Sequence, residues 1–168
     1  GIITNTGNST PVVASVSNYD IPMLTPFELT GSATDPDGDA LTYNWEQNDS
    51  AQNTGVTVAN ANAYAAKMIG PNWLTFPSSS SPTKSFPRLS TILVGGLMTE
   101  AHPTSNDTGI FMEALSSVTR DLNFRLTVRD NHPYMPGTAI GQTQFTDMTV
   151  SVTNTSGPFQ VTVQDSSP

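Results

Sequence analysis

The sequence predicts an all-β fold, an antiparallel β-sandwich with a long irregular middle insertion, and three observations carry that prediction. Strong helix formers are scarce while Thr and Val are abundant, a balance that favours pleated backbone. Apolar and polar residues alternate with a period of two in several short runs, above all Leu122, Phe124, Leu126 and Val128 against Asn123, Arg125, Thr127 and Arg129. These runs cluster toward both ends of the chain, so that strands pair across the middle, which is how an antiparallel sandwich is built.

In chain order, residues 1–10 are polar and Gly/Asn-rich and read as a linker, followed by a single domain over 11–165 and a short tail, 166–168. Val12, Val13 and Val16 make a first strand after Pro11. Asn18 to Pro26 reads as loop, because Pro22 and Pro26 interrupt any ladder. Phe27, Leu29 and Gly31 alternate with Glu28, Thr30 and Ser32, and Leu41, Tyr43 and Trp45 share one face beyond a tight acidic turn, so the two strands are expected to form a hairpin. Residues 48–117 are the irregular insertion: Ala59 to Met68 offers a short helix or a loop, Pro71 to Pro87 is Ser/Pro-rich, Gly95 and Gly96 break Leu89 to Leu97, and Ile110 to Leu115 suggests one helical turn. Regularity returns with Leu122 to Val128, the turn Asp130 to Pro133, a strand over Phe145 to Val152 with Met148, Val150 and Val152 inward, and a last strand through Phe159, Val161 and Val163.

Charge narrows the partners. A net charge of −8 opposes binding to nucleic-acid backbones and anionic membranes, and fits cations instead. The absence of cysteine excludes disulfides, thiolate-bound zinc and thiol catalysis. No apolar run approaches the roughly 18–20 residues of a membrane span. The N-terminus lacks the basic-then-apolar pattern of a signal peptide, and Gly1 in place of Met suggests an excised piece of something longer; the low-charge, Thr/Asn-rich composition leans toward a secreted protein.

The densest chemistry is Asp35-Pro36-Asp37-Gly38-Asp39. Gly38 permits the positive φ that lets alternate carboxylates curl toward one point. Three carboxylates so close repel unless a cation lies among them, and calcium takes six to eight hard oxygens. The flanking strands and the missing downstream Glu distinguish the turn from a helix-flanked calcium loop. A solvated acidic turn without metal uses the same residue types.

Ala33 to Trp45 resembles the second-to-third strand signature of PKD-like and cadherin-like β-sandwich repeats, and Leu126 to Asn131 resembles the penultimate strand of the same modules. Asn8 to Pro11 is similar to the Asn-x-x-Pro opening of bacterial PKD domains. More extensively, Pro26 to Gly31, Phe86 to Leu93, Leu122 to Asn131 and Ser156 to Phe159 resemble the module found after the catalytic domain of secreted, reprolysin-like bacterial zinc metallopeptidases. The resemblance implies an immunoglobulin-like (PKD/cadherin-like) sandwich, extracellular, contacting adjacent domains of the same polypeptide. It also implies structural calcium held by Asn8, by Asp35, Asp37 and Asp39, and by Asp130. Where that family has a basic residue and a Gly-rich run after the Asp-Asn turn, this chain has His132 to Gly137.

Catalysis finds no support in the sequence. No His-Glu-x-x-His helix motif and no Gly-x-Ser-x-Gly elbow occurs, and the two histidines, His102 and His132, sit in proline-flanked loops. A zinc site completed by Glu100 or Glu113 would lack a rigid mount. Trp45 is expected in the core. Trp73 and Tyr134, in loops, offer aromatic platforms for a polysaccharide or an insoluble protein, but the need of a long loop for a local core favours Trp73 and Phe76 tucking their loop onto the sandwich.

Overall fold

The computed structural model describes residues 7–50, 62–100, 110–136, 139–155 and 157. The chain is β-rich, with one short helix among the described residues. Its elements are β1 (Val12–Val13), β2 (Tyr19–Pro22), β3 (Phe27–Thr30), β4 (Ala33–Thr34), β5 (Thr42–Gln47), β6 (Thr83–Phe86), α1 (Leu89–Leu93), β7 (Met98–Glu100), β8 (Phe111–Ala114), β9 (Arg120–Arg129) and β10 (Thr143–Thr153). No helix among the described residues is long and apolar enough to cross a membrane.

Four strands form the principal sheet in the order β2-β10-β9-β5. The alternation in β9 and β10 sets its register: Leu122 faces Val150 and Phe124 faces Met148 across the antiparallel pair, so each strand presents one apolar face. On the other side of β9, Trp45 of β5 lies opposite Leu126. Against the apolar face lies a smaller antiparallel pair, β3 with β6, in which Phe27 opposes Phe86. Aromatic rings close the gap between the layers. Phe27 and Phe86 stack at 4.9 Å, and Phe86 meets Phe124 of β9 at 4.9 Å. Leu29, Trp45, Trp73, Leu115 and Leu126 complete one apolar core. Gly31 faces this core so closely that any Cβ there would collide with the Leu126 side chain. The arrangement, two β layers over one core, is compatible with an all-β sandwich.

Several expectations need correction. Asn18 to Pro26 contains β2, which pairs in parallel with the last turns of β10, Tyr19 opposite Val150 and Pro22 opposite Thr153. Proline is tolerated there because it closes an edge strand. The acidic turn does not close a hairpin: β3 pairs with β6, β4 with β1 and β5 with β9, so the turn carries the chain from one sheet to another. Ile110 to Leu115, expected as a helical turn, contains the strand β8, which pairs with β7. Within 48–117 the described residues contribute β6, and Trp73, Phe86 and Leu115 are core residues, so these parts of the segment are built into the sandwich. The short first strand ends at Val13, with Val16 packed against the core beyond it. The expected strand over 159–163 lies outside the described residues.

Candidate metal centre at the acidic end

The chain leaves β4 at Thr34 and enters β5 at Thr42, and the residues between are closed by the first carboxylate. Asp35 Oδ1 accepts the backbone N–H of Asp37 at 2.9 Å and of Asp39 at 3.2 Å, while Gly38, at φ +83°, donates to the Asp35 carbonyl at 3.3 Å. An Asp side chain gathering N–H groups two and four residues on is the local chemistry that makes this a turn. The other two carboxylates reach outward. Asp37 Oδ2 accepts the Ser9 N–H at 2.6 Å, and Asp39 Oδ2 lies 2.8 Å from His132 Nδ1.

Asp130 follows β9 and is 1% exposed. Its oxygens accept the N–H of His132 at 3.0 Å, the N–H of Gln142 at 3.0 and 2.9 Å, and Asn8 Nδ2 at 2.7 Å. Burial pushes this carboxyl up, but the hydrogen bonds from His132, Gln142 and Asn8, with the nearby imidazole, outweigh it and hold the group below the usual carboxylate range. Asn8 Nδ2 also donates to the Ile140 carbonyl at 3.0 Å. Asn131, at φ 54°, donates to the carbonyls of Ala40 at 2.8 Å and Arg129 at 3.2 Å, and accepts from Thr42 Oγ1 at 3.1 Å. The side chain of Asn131 thus ties the start of β5 to the end of β9.

One hydrogen-bonded network at one end of the principal sheet therefore joins Asn8, Asp37, Asp39 and Asp130, with Asp35 closing the turn. They are linked, but among the described residues no three His, Asp or Glu side chains gather tightly enough to hold an ion by themselves. The donor set is nevertheless hard and anionic. Asp35 Oδ2 is buried with no hydrogen-bond partner, an orphan that suits a cation, and neither Asp37 Oδ1 nor Asp39 Oδ1 takes a described hydrogen bond. Sequence reasoning missed His132, Asn131 and the Ile140–Gln142 loop. Two of them adjoin Asp130 in sequence, but their partners Asp39 and Ala40 lie 93 and 91 residues away.

The aromatic candidates separate. Trp73 is 3% exposed and meets Phe27 and Phe86 edge-on at 5.8 and 5.4 Å, so it is a core residue and not a platform: its ring closes the gap between the loop and the sandwich. Tyr134 is 71% exposed. Glu113 is wholly buried, accepting from the Arg88 N–H at 3.0 Å and Thr99 Oγ1 at 2.8 Å, whereas His132 serves Asp39. The two acids suggested for zinc thus belong to other surroundings, with Glu100 exposed on β7, and His102 lies outside the described residues. Compared with protein-family models, with curated proteins and with solved structures, the chain matches none of them.

Proposed function

We propose that the chain is a non-catalytic, extracellular accessory domain, an immunoglobulin-like sandwich of the kind carried behind the catalytic domain of secreted bacterial zinc metallopeptidases, and that its acidic end binds calcium as a structural ion. The observation that carries the calcium is Asp35 Oδ2, a carboxylate oxygen buried without a donor in a turn that carries two further carboxylates, Asp37 and Asp39. Leaving such a group unsatisfied costs about 1–3 kcal/mol, and more when it is charged. A divalent cation removes that cost and the repulsion between neighbouring carboxylates together. Asp35, Asp37 and Asp39 supply oxygens, Asp130 and Asn8 hold the surrounding loops, and backbone carbonyls and water complete a coordination number of six to eight. Asn8 and Ser9 are bonded into the same end, so an ion there stiffens the segment that leads into β1, which supports the accessory role.

Calcium titrated into the protein in a calorimeter is expected to give a saturable heat, abolished in Asp35→Asn. That substitution keeps Oδ1 for the Asp37 and Asp39 amides and replaces only the orphaned oxygen. Equal heats in both proteins, or none in the wild type, overturn the site.

A second reading, a module that binds polysaccharide or insoluble protein through loop aromatics, keeps Tyr134 as its exposed ring. It predicts retention on such a matrix that is lost in Tyr134→Ala with an unchanged melting curve; retention equal in both proteins rules the ring out.

A further inference from the structure

The six basic side chains of this acidic protein divide into two groups. Four spend their charge on neighbouring oxygens. Lys67 donates to the carbonyls of Asn62 and Pro71, Arg120 to those of Lys67 and Gly70, Arg125 to Asp147 at 2.7 and 2.8 Å, and Arg129 to Ser78. The remaining two, Lys84 and Arg88, line one cleft of about 290 Å³ between β5 and β6.

Neither of these two is neutralised in the same way. The Lys84 ammonium makes no hydrogen bond or ion pair among the described residues and is held between two rings, 4.8 Å from the centre of Phe76 and 4.7 Å from that of Phe86. Arg88 covers Phe76 with its guanidinium carbon at 4.4 Å; only its Nε approaches an acid, 3.6 Å from Glu113 Oε2, and its Nη groups make no described hydrogen bond. Aromatic faces position cations without consuming their N–H donors, so an ammonium and a guanidinium fork stay available to one anion. The facing rim is polar and uncharged: Ser79, Ser81 and Asn44 line the same cleft beside Tyr43, while the Ser85 hydroxyl on β6 donates to Glu28 Oε2 at 3.1 Å. The volume lies near the lower bound of small-molecule sites, roughly 300 Å³, which suits a single ring and not a helix or strand.

We propose that this cleft binds a carboxylated sugar, a hexuronate unit, with its carboxylate on Lys84 and Arg88 and its ring hydroxyls on the Ser and Asn side chains. A bare acid uses the cations but not the hydroxyl rim, and a neutral sugar uses the rim but leaves both cations unpaired. The site stands apart from the acidic end and does not depend on calcium. Burial, with the neighbouring Arg88 charge, lowers the Lys84 pKa to about 8 against the opposing charges of Glu113 on β8 and Glu46 on β5, so its charge, and with it affinity, declines as pH rises through 8.

The test is a titration of isotope-labelled protein with sodium glucuronate, glucose, sodium acetate and N-acetylglutamate, followed by backbone amide shifts. Glucuronate is expected to move the amides of Asn44 and of Thr83 to Ser85 saturably, with glucose and acetate far weaker. Lys84→Met, which removes no described hydrogen bond, is expected to weaken it ~10-fold or more, as the loss of one charge-assisted hydrogen bond requires. The wild-type affinity is expected to fall between pH 7 and 9, and that fall is expected to be absent in Lys84→Met. No saturable shift with glucuronate, or an unchanged affinity in a folded Lys84→Met, overturns the proposal. Equal binding of N-acetylglutamate overturns the sugar in favour of an acidic peptide, and equal binding of acetate reduces the cleft to a bare anion site.

Discussion

Buried beneath the loop that returns the chain from β9 to β10, the Asp130 carboxylate accepts from His132, Gln142 and Asn8 at once. Asp130→Ala strands those donors. Such a loss is expected to cost about 2–4 kcal/mol in urea unfolding, the range for breaking a buried network around a charge. A carboxyl whose folded pKa is depressed contributes stability above its unfolded value and loses it as pH falls through the folded one. Wild-type stability should therefore decline below about pH 4, the unfolded carboxylate value, and that part of the decline should be missing in Asp130→Asn. Superimposable acid profiles would show that the group is not held in its charged form. Gly31 is the other single residue whose identity is fixed by contact. A Cβ at this position meets Leu126 Cδ2, so Gly31→Ala is expected to lose about 1–3 kcal/mol by overpacking. Gly31→Ala combined with Leu126→Val should recover part of the loss in a double-mutant cycle, and strict additivity would deny the contact.

At the scale of elements, β9 and β10 were legible because a long alternating run has only one face that can be buried, and Leu122, Phe124, Leu126 and Val128 all lie inward. What stayed illegible was pairing at a distance. The Asp-Gly chemistry of the acidic turn reads the same whether the next strand folds back or crosses to another sheet, and only the partners of β3 and β5, dozens of residues on, decide it. β2 was hidden by Pro22, and β8 by Glu113, an acid at a wholly buried position of a short strand. The Ser/Pro-rich stretch before Pro87 concealed β6 in the same manner, yet β6 places Phe86 at the centre of the aromatic cluster. Phe86→Ala is expected to cost about 3–5 kcal/mol and to flatten near-ultraviolet circular dichroism throughout. A cost under 1 kcal/mol would mean that the middle of the chain is an appendage after all.

For the whole molecule, the excess of negative charge and the few cations have opposite fates. Carboxylates collect at one end, at Asp35, Asp37, Asp39 and Asp130, while the two basic groups whose side chains make no described hydrogen bond, Lys84 and Arg88, face a separate cleft. Sequence alone brought out the acidic residues, since Asp, Gly and Asp at such spacing are a local pattern. The family resemblance put Asn8 with them, but nothing local shows that His132 joins them, because that contact spans 93 residues. The central claim is that a cation completes this end, and thermal unfolding tests it most directly. An ion that binds only the folded chain adds about 2.7 kcal/mol at a hundredfold excess over Kd, roughly 5–10 °C in Tm for a domain of this size. Melted in millimolar calcium and again in chelator, the wild type should show that upward shift and Asp35→Asn should not; a wild-type Tm that is the same in both buffers would contradict the account.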